Sequence, residues 1–171
     1  MPTINGTNQP DNLGNSFSVL PDIINGFDGN DTIRGGSGND TINGGSGDDR
    51  INAGNGNDSL LGGFGSDTID GGRGNDIIDG GSGNNTIDGG FDGDDKIQGG
   101  NGNDRIQAGS GNDTINGVSG NDRIDGGAGD DKIDAGSGND TINAGSGNDT
   151  INAGVGNNII NGVSGNDRIN T

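Results

Sequence analysis

Gly35–Asn43 reads GGSGNDTIN, and most of the chain beyond residue 21 is this nonapeptide with small substitutions. Numbered one to nine, the unit carries glycine at positions 1, 2 and 4, a carboxylate at 6 and an aliphatic residue at 8. Position 6 falls in one frame on Asp22, Asp31, Asp40, Asp49, Asp58, Asp67, Asp76 and Asn85. After a one-residue shift it continues on Asp95, Asp104, Asp113, Asp122, Asp131, Asp140, Asp149, Asn158 and Asp167. Position 8 runs from Ile24 to Ile169 with Leu60 the single member that is not isoleucine, and position 4 is glycine from Gly29 to Gly165.

Side chains alternate across a strand, so the period places position 8 inside a coiled β-structure. Positions 7 and 9, such as Thr41 with Asn43, Arg50 with Asn52 and Thr68 with Asp70, then face solvent. Each unit is predicted to divide into a three-residue strand at positions 7 to 9 and a six-residue turn. Asn-Gly pairs such as Asn43-Gly44 resemble hairpin turns locally, but the nine-residue register overrules them.

Composition sets the energetic problem. Of 171 residues 42 are glycine and only 23% hydrophobic, with a net charge of -18. One aliphatic side chain per nonad is set against about 1–2 kcal/mol of ordering entropy per residue. Something outside the chain must help it fold. All 26 acidic residues are aspartate, and fifteen recur at one position of the repeat, which is what a hard cation wanting oxygen ligands at fixed spacing requires; that cation is Ca²⁺. Asp70, Asp79, Asp88, Asp125 and Asp134, at position 9, read instead as solubilising surface charge.

Other classes are excluded or disfavoured by what is missing. There is no Cys and no His, so disulfides are ruled out and zinc loses its commonest ligands. With no His, Cys, Glu, Tyr or Trp the usual catalytic triads and dyads are absent, and no enzyme activity or catalytic residue is expected. No apolar run approaches the ~20 residues of a membrane helix. Eight basic residues at this net charge leave nucleic acid repelled rather than bound.

The ends and the frame shift stand apart from the array. Residues 1–21 hold all three prolines (Pro2, Pro10 and Pro21) and an apolar group of Phe17, Val19 and Leu20. They are expected to form an N-terminal cap containing one degenerate turn at Asp11 and Leu13, ahead of a repeat domain at 22–171. Gly89 reads as the extra residue, a bulge that leaves Phe27 and Phe91 at position 2, with Val118 and Val163 in the same slot elsewhere. For the two phenylalanines local packing against the turn is the expected role. The array stops one residue short of Thr171 without a non-repetitive flank, which raises the expectation of end-to-end self-association into filaments.

The repeated GGxGxD nonad with an aliphatic residue at position 8 resembles the RTX (repeat-in-toxin, hemolysin-type) calcium-binding family, over about residues 22 to 170. The resemblance implies an all-β fold, a parallel β-roll (a right-handed β-solenoid) with two nonapeptides per coil and about eight coils. With coils ~4.8 Å apart the rod is on the order of 40 Å long. It implies that alternate turns line opposite edges: Asp22, Asp40, Asp58, Asp76, Asp95, Asp113, Asp131, Asp149 and Asp167 on one, Asp31, Asp49, Asp67, Asp104, Asp122 and Asp140 on the other. These fifteen aspartates are the expected metal ligands, with turn carbonyls, for multiple Ca²⁺ ions in roughly fifteen gaps between coils. The gaps touching Asn85 and Asn158 should be weakest or empty.

The implied function is a calcium-binding module of a secreted or cell-surface protein that folds outside the cell. The alternatives are a self-assembling filament or matrix component and a calcium-dependent ice-binding protein. The mixed position 7 row of Thr41, Ser59, Ile77, Lys96, Thr114, Lys132 and Thr150 suits ice poorly.

Overall fold

A computed structural model of the chain describes residues 1–14 and 19–171. Phe17 lies outside the described residues. Nineteen strands, all in parallel pairs, form two sheets. The ten odd-numbered strands make one sheet and the nine even-numbered strands the other. Successive nonads therefore lie on opposite sides of the molecule, and two of them complete one coil of a β-roll.

Among the described residues, thirteen of the nineteen strands span six residues rather than three. A typical one, β5 (Thr41–Ser46), spans six, from position 7 of one unit to position 3 of the next, so the turn shrinks to positions 4–6. The reason is that position 1 also points inward. Alongside the position 8 row, from Ile24 to Ile151, the core contains Ala53, Ala108, Ala135, Ala144 and Ala153, all at position 1 and at most 1% exposed. Only glycine or alanine fits between facing isoleucines there. The core is thus a double file of isoleucines spaced by small residues.

Turn glycines permit coils to stack closely. Gly111 has φ 139°, and a Cβ on it would overlap the carbonyl oxygen of Gly93 in the preceding coil. Position 2 tolerates exceptions: Phe27 and Val118 are the two non-glycine residues with positive φ among the described residues, at 77° and 75°. Such conformations cost on the order of 1–3 kcal/mol each.

Three features differ from expectation. First, β1 (Thr3–Asn5) and β2 (Asn12–Gly14) pair in register with β3 (Ile23–Asp28) and β4 (Thr32–Ser37). Residues 3–14 are thus a full coil with Ile4 and Leu13 packed against the core, and the rod gains a coil beyond the eight counted from residue 22. Val19 and Leu20 are mostly exposed. Second, Gly89 is not the extra residue. Its position 1 environment faces Asp95 and Ala108, Gly90 stacks on Gly72 as position 2, and Asp92 bridges Arg73 at position 3. Phe91 is the added residue of a bulge: its N–H donates to the Gly72 carbonyl at 2.8 Å while the Asp92 carbonyl accepts from Gly74 at 3.2 Å, so Phe91 and Asp92 together oppose Arg73. Third, Phe91 is 76% and Phe27 50% exposed, so neither packs into its turn.

Candidate metal-binding edges

Each edge of the roll is a stack of position 6 side chains. Fourteen of the fifteen candidate aspartates are buried, none more than 2% exposed; Asp167, in the last coil, is half-buried. Their placement follows from one recurring hydrogen bond. The backbone N–H of each position 6 residue donates to Oδ1 of the residue one coil later, as from Asp58 to Asp76 at 2.8 Å and from Asp76 to Asp95 at 2.8 Å. One file runs from Asp22 to Asp167 and the other from Asp11 through Asp31 to Asn158. The two edges hold the residues the alternation of nonads assigns to them, and Asp11 joins as one more rung.

In thirteen of these carboxylates one oxygen is left over. Oδ2 of Asp31, Asp40, Asp49, Asp58, Asp67 and Asp76 is buried without a hydrogen-bond partner, as is that of Asp104, Asp113, Asp122, Asp131, Asp140 and Asp149. At Asp22 the unpartnered atom is Oδ1. The residue in register one coil earlier is Pro2, which has no N–H to give.

The orphaned oxygens face another acceptor. The point where a side chain on Gly117 would begin lies 2.6 Å from Oδ2 of Asp122 and 2.5 Å from the carbonyl oxygen of Ala135 in the next coil. The same convergence of carboxylate and carbonyl occurs at Gly126, between Asp131 and Ala144, and at Gly99, between Asp104 and Gly117. Two buried acceptors without a donor between them are costly. A hard cation resolves the conflict, and an all-oxygen set of carboxylates and carbonyls is what Ca²⁺ takes. The residues fit the ion.

Asn85 is the natural control. Its Oδ1 accepts from Asp67 N–H at 2.9 Å like any aspartate, but its Nδ2 donates to the carbonyl of Gly99 at 3.3 Å. Asn158 instead donates Nδ2 to the carbonyl of Ala153, five residues before it, at 2.7 Å. The amide satisfies the carbonyl that a carboxylate can only oppose.

Electrostatics agree. Burial pushes the carboxyls of Asp58 and Asp95 up to about 7, against a lowering by the N–H of the preceding rung and with a further rise from neighbouring carboxylates. Asp49, Asp76, Asp122 and Asp131 are raised to about 6 by the same burial. Burial thus disfavours the charge on these carboxylates, a cost that a bound cation would offset. Among the described residues no group of three or more acidic side chains converges as a ready-made metal cluster. Neighbouring coils bring carboxylates together in pairs, and the other donors are backbone oxygens.

A second ladder escaped the reading of the sequence. At position 5 the side chain accepts from the N–H of the residue one coil later, as when Asn139 donates to Asn121 at 2.8 Å and Asp130 to Asn112 at 2.8 Å. It runs opposite in sense to the position 6 ladder, so each gap is stitched in both directions. The signal was present: from Asn30 onward position 5 is always Asn, Asp or Ser.

A family model described as RTX calcium-binding nonapeptide repeat (4 copies) matches residues 25–60, 61–94, 89–124, 108–142, 116–151 and 134–169. No curated protein matches the chain.

Proposed function

Because the chain belongs to the RTX calcium-binding nonapeptide repeat family, whose repeats bind multiple Ca²⁺ ions, we propose that it is a module whose folding is driven by calcium outside the cell. The metal ligands in this reading are the fifteen position 6 aspartates, with turn carbonyls from neighbouring coils. The observation that carries it is the file of buried, unpartnered Oδ2 atoms facing carbonyl oxygens. When bound, calcium supplies the positive charge that lets these acceptors share a gap.

The chain's own residues do the rest. As coils stack, position 6 N–H groups hold each carboxylate's other oxygen in place, so the remaining oxygen is aimed at the gap the ion takes. Position 8 isoleucines and position 1 alanines close the core once the coils stack. Without the ion, like-charged carboxylates in each file repel and the narrow core is set against the entropy of a glycine-rich chain, so metal binding and folding are one event. Where free calcium is scarce, as in cytosol, the chain is disordered; outside the cell it orders. A role in structure and stability at the cell surface or in the secreted state follows.

Far-UV circular dichroism during a calcium titration at neutral pH, with magnesium as control, tests this. A cooperative coil-to-β change with calcium alone is expected. A β spectrum that persists in excess chelator at neutral pH would show that the isoleucine files suffice and sink the proposal.

A further inference from the structure

The outer face of the ten-stranded sheet carries a trough that the metal edges do not use. Its floor is the position 2 column, where Gly45, Gly63, Gly81 and Gly100 stack coil upon coil. Phe27 closes one end and Val118 the other, each in register with the floor. These are the two residues that hold a side chain at a positive φ other positions reserve for glycine. Position 9 residues form one wall and position 3 residues the other. Midway along, Leu61 and Phe64 rise from opposite walls of β7 (Ser59–Phe64), 39% and 71% exposed.

We propose that this face is the interface of a parallel, side-by-side dimer of two copies of the chain. Rotating a second copy by half a turn about an axis along the trough sets the position 9 wall of each coil against the position 3 wall of the same coil. Leu61 then meets Phe64 of its counterpart and Phe64 meets Leu61, while Phe27 and Val118 each meet themselves. Such self-matching is what an isologous twofold contact demands. The polar coils match as well: Asp28 falls opposite Asn25, Asp79 opposite Ser82, and Gln98 opposite Asn101. Every carboxylate on the two walls meets a hydrogen-bond donor, and no two carboxylates meet.

An antiparallel pairing centred on Leu61 instead sets Phe27 over Gly100 and carries Val118 to the first coil. On the nine-stranded sheet the same half-turn opposes two carboxylates, Asp88 and Asp92. The ten-stranded face measures about 43 Å by about 20 Å, on the order of 850 Å², against ~800 Å² per partner in a standard interface.

The inference rests on the calcium-loaded roll proposed above, since a charge of -18 on each chain opposes association until ions neutralise it. The test is sedimentation velocity in saturating calcium, with far-UV circular dichroism on the same sample. The unaltered protein should sediment as a dimer. Leu61→Asn with Phe64→Asn should make it monomeric with the β spectrum unchanged, and Phe91→Ser, on the other sheet, should leave the dimer intact. Because the chain has no cysteine, orientation can be read by oxidation: a mixture of Asp79→Cys and Ser82→Cys chains should cross-link, and neither should alone. A monomeric mass with an intact β spectrum overturns the dimer alone, as does a dimer that survives the double substitution or a single-site variant that cross-links with itself. Absence of a β spectrum in calcium overturns the calcium reading and the dimer with it.

Discussion

Asp122 and Asn85 occupy the same position of the repeat, on the same edge, and differ by one atom. Both accept a hydrogen bond through Oδ1 from the rung before, Asp122 from Asp104 and Asn85 from Asp67. At Asn85 the remaining nitrogen donates to a carbonyl of the next coil. At Asp122 the remaining oxygen is buried beside such a carbonyl with no donor at all. The difference teaches what the aspartate turn lacks: a positive centre between two oxygens. An amide hydrogen supplies it internally, a proton on the carboxyl could supply it, and a calcium ion supplies it with the strongest field. The chain carries carboxylates at almost every such position, and under the proposed function this makes its fold conditional on a cation.

The largest expected effect separates proton from cation. For the metal-free chain, the carboxyls of Asp58 and Asp95 are raised from 3.8 to about 7, and those of Asp49, Asp76, Asp122 and Asp131 to about 6. A raised folded-state value means the neutral form favours folding, so this stabilisation is complete below the unfolded value and lost as pH rises through 6 to 7. In calcium-depleted buffer the β spectrum should therefore appear near pH 4 and vanish towards neutrality. With calcium it should persist at neutral pH, and the calcium affinity should fall on acidification as protons compete. A metal-free chain equally unfolded at both pH values would break the equivalence of proton and ion.

Next in size is Asp122→Asn. Its new amide can donate to the Ala135 carbonyl, removing a buried acceptor conflict of about 1–3 kcal/mol from the metal-free state. Calorimetric titration should count about one or two fewer calcium ions, and less calcium should be needed to fold the rest.

Asn85→Asp is the reverse exchange. It should add about one or two ions to the measured stoichiometry and weaken any residual metal-free structure at neutral pH. If the stoichiometry does not rise, carboxylate at position 6 is not what admits the ion.

The smallest effect belongs to the outer ladder. Asn121→Ala removes the acceptor for Asn139 N–H at an exposed edge and should cost about 0.5–1.5 kcal/mol, read as a shift in the thermal midpoint of the calcium-loaded form. The calcium count should not change, which distinguishes position 5 from position 6.

Much of the architecture was legible because a strict period leaves little choice. The nine-residue register placed the Ile24 to Ile169 row and the recurring aspartates, and the resemblance to the RTX family, rather than the period itself, implied that alternate units lie on opposite sides. Departures from period were less legible. Residues 3–14 contain the motif with two extra residues before the next unit, so the sequence shows only the one degenerate turn at Asp11 and Leu13, while the pairing of Ile4 with Ile24 shows itself in the structure. At the frame shift, letters alone could not tell whether Gly89 or Phe91 was surplus, since either choice leaves glycine beside phenylalanine. Backbone stacking settled it, because Gly90 sits on Gly72 and Asp92 bridges Arg73, which leaves Phe91 as the residue added between them.

By itself the sequence determined that the chain is a repeat, that a side-chain oxygen recurs at one position, and that each nonad supplies one reliable aliphatic residue. These are statements about composition and period, which need no coordinates. Only the tertiary structure decided how the two oxygens of each carboxylate are used. Coils 18 residues apart must come into register before Oδ1 of Asp76 can meet the N–H of Asp58, and only then is Oδ2 left facing a carbonyl. The same stacking turned scattered Phe27, Leu61, Phe64 and Val118 into one face, because residues far apart in the chain become neighbours only when the strands between them pair.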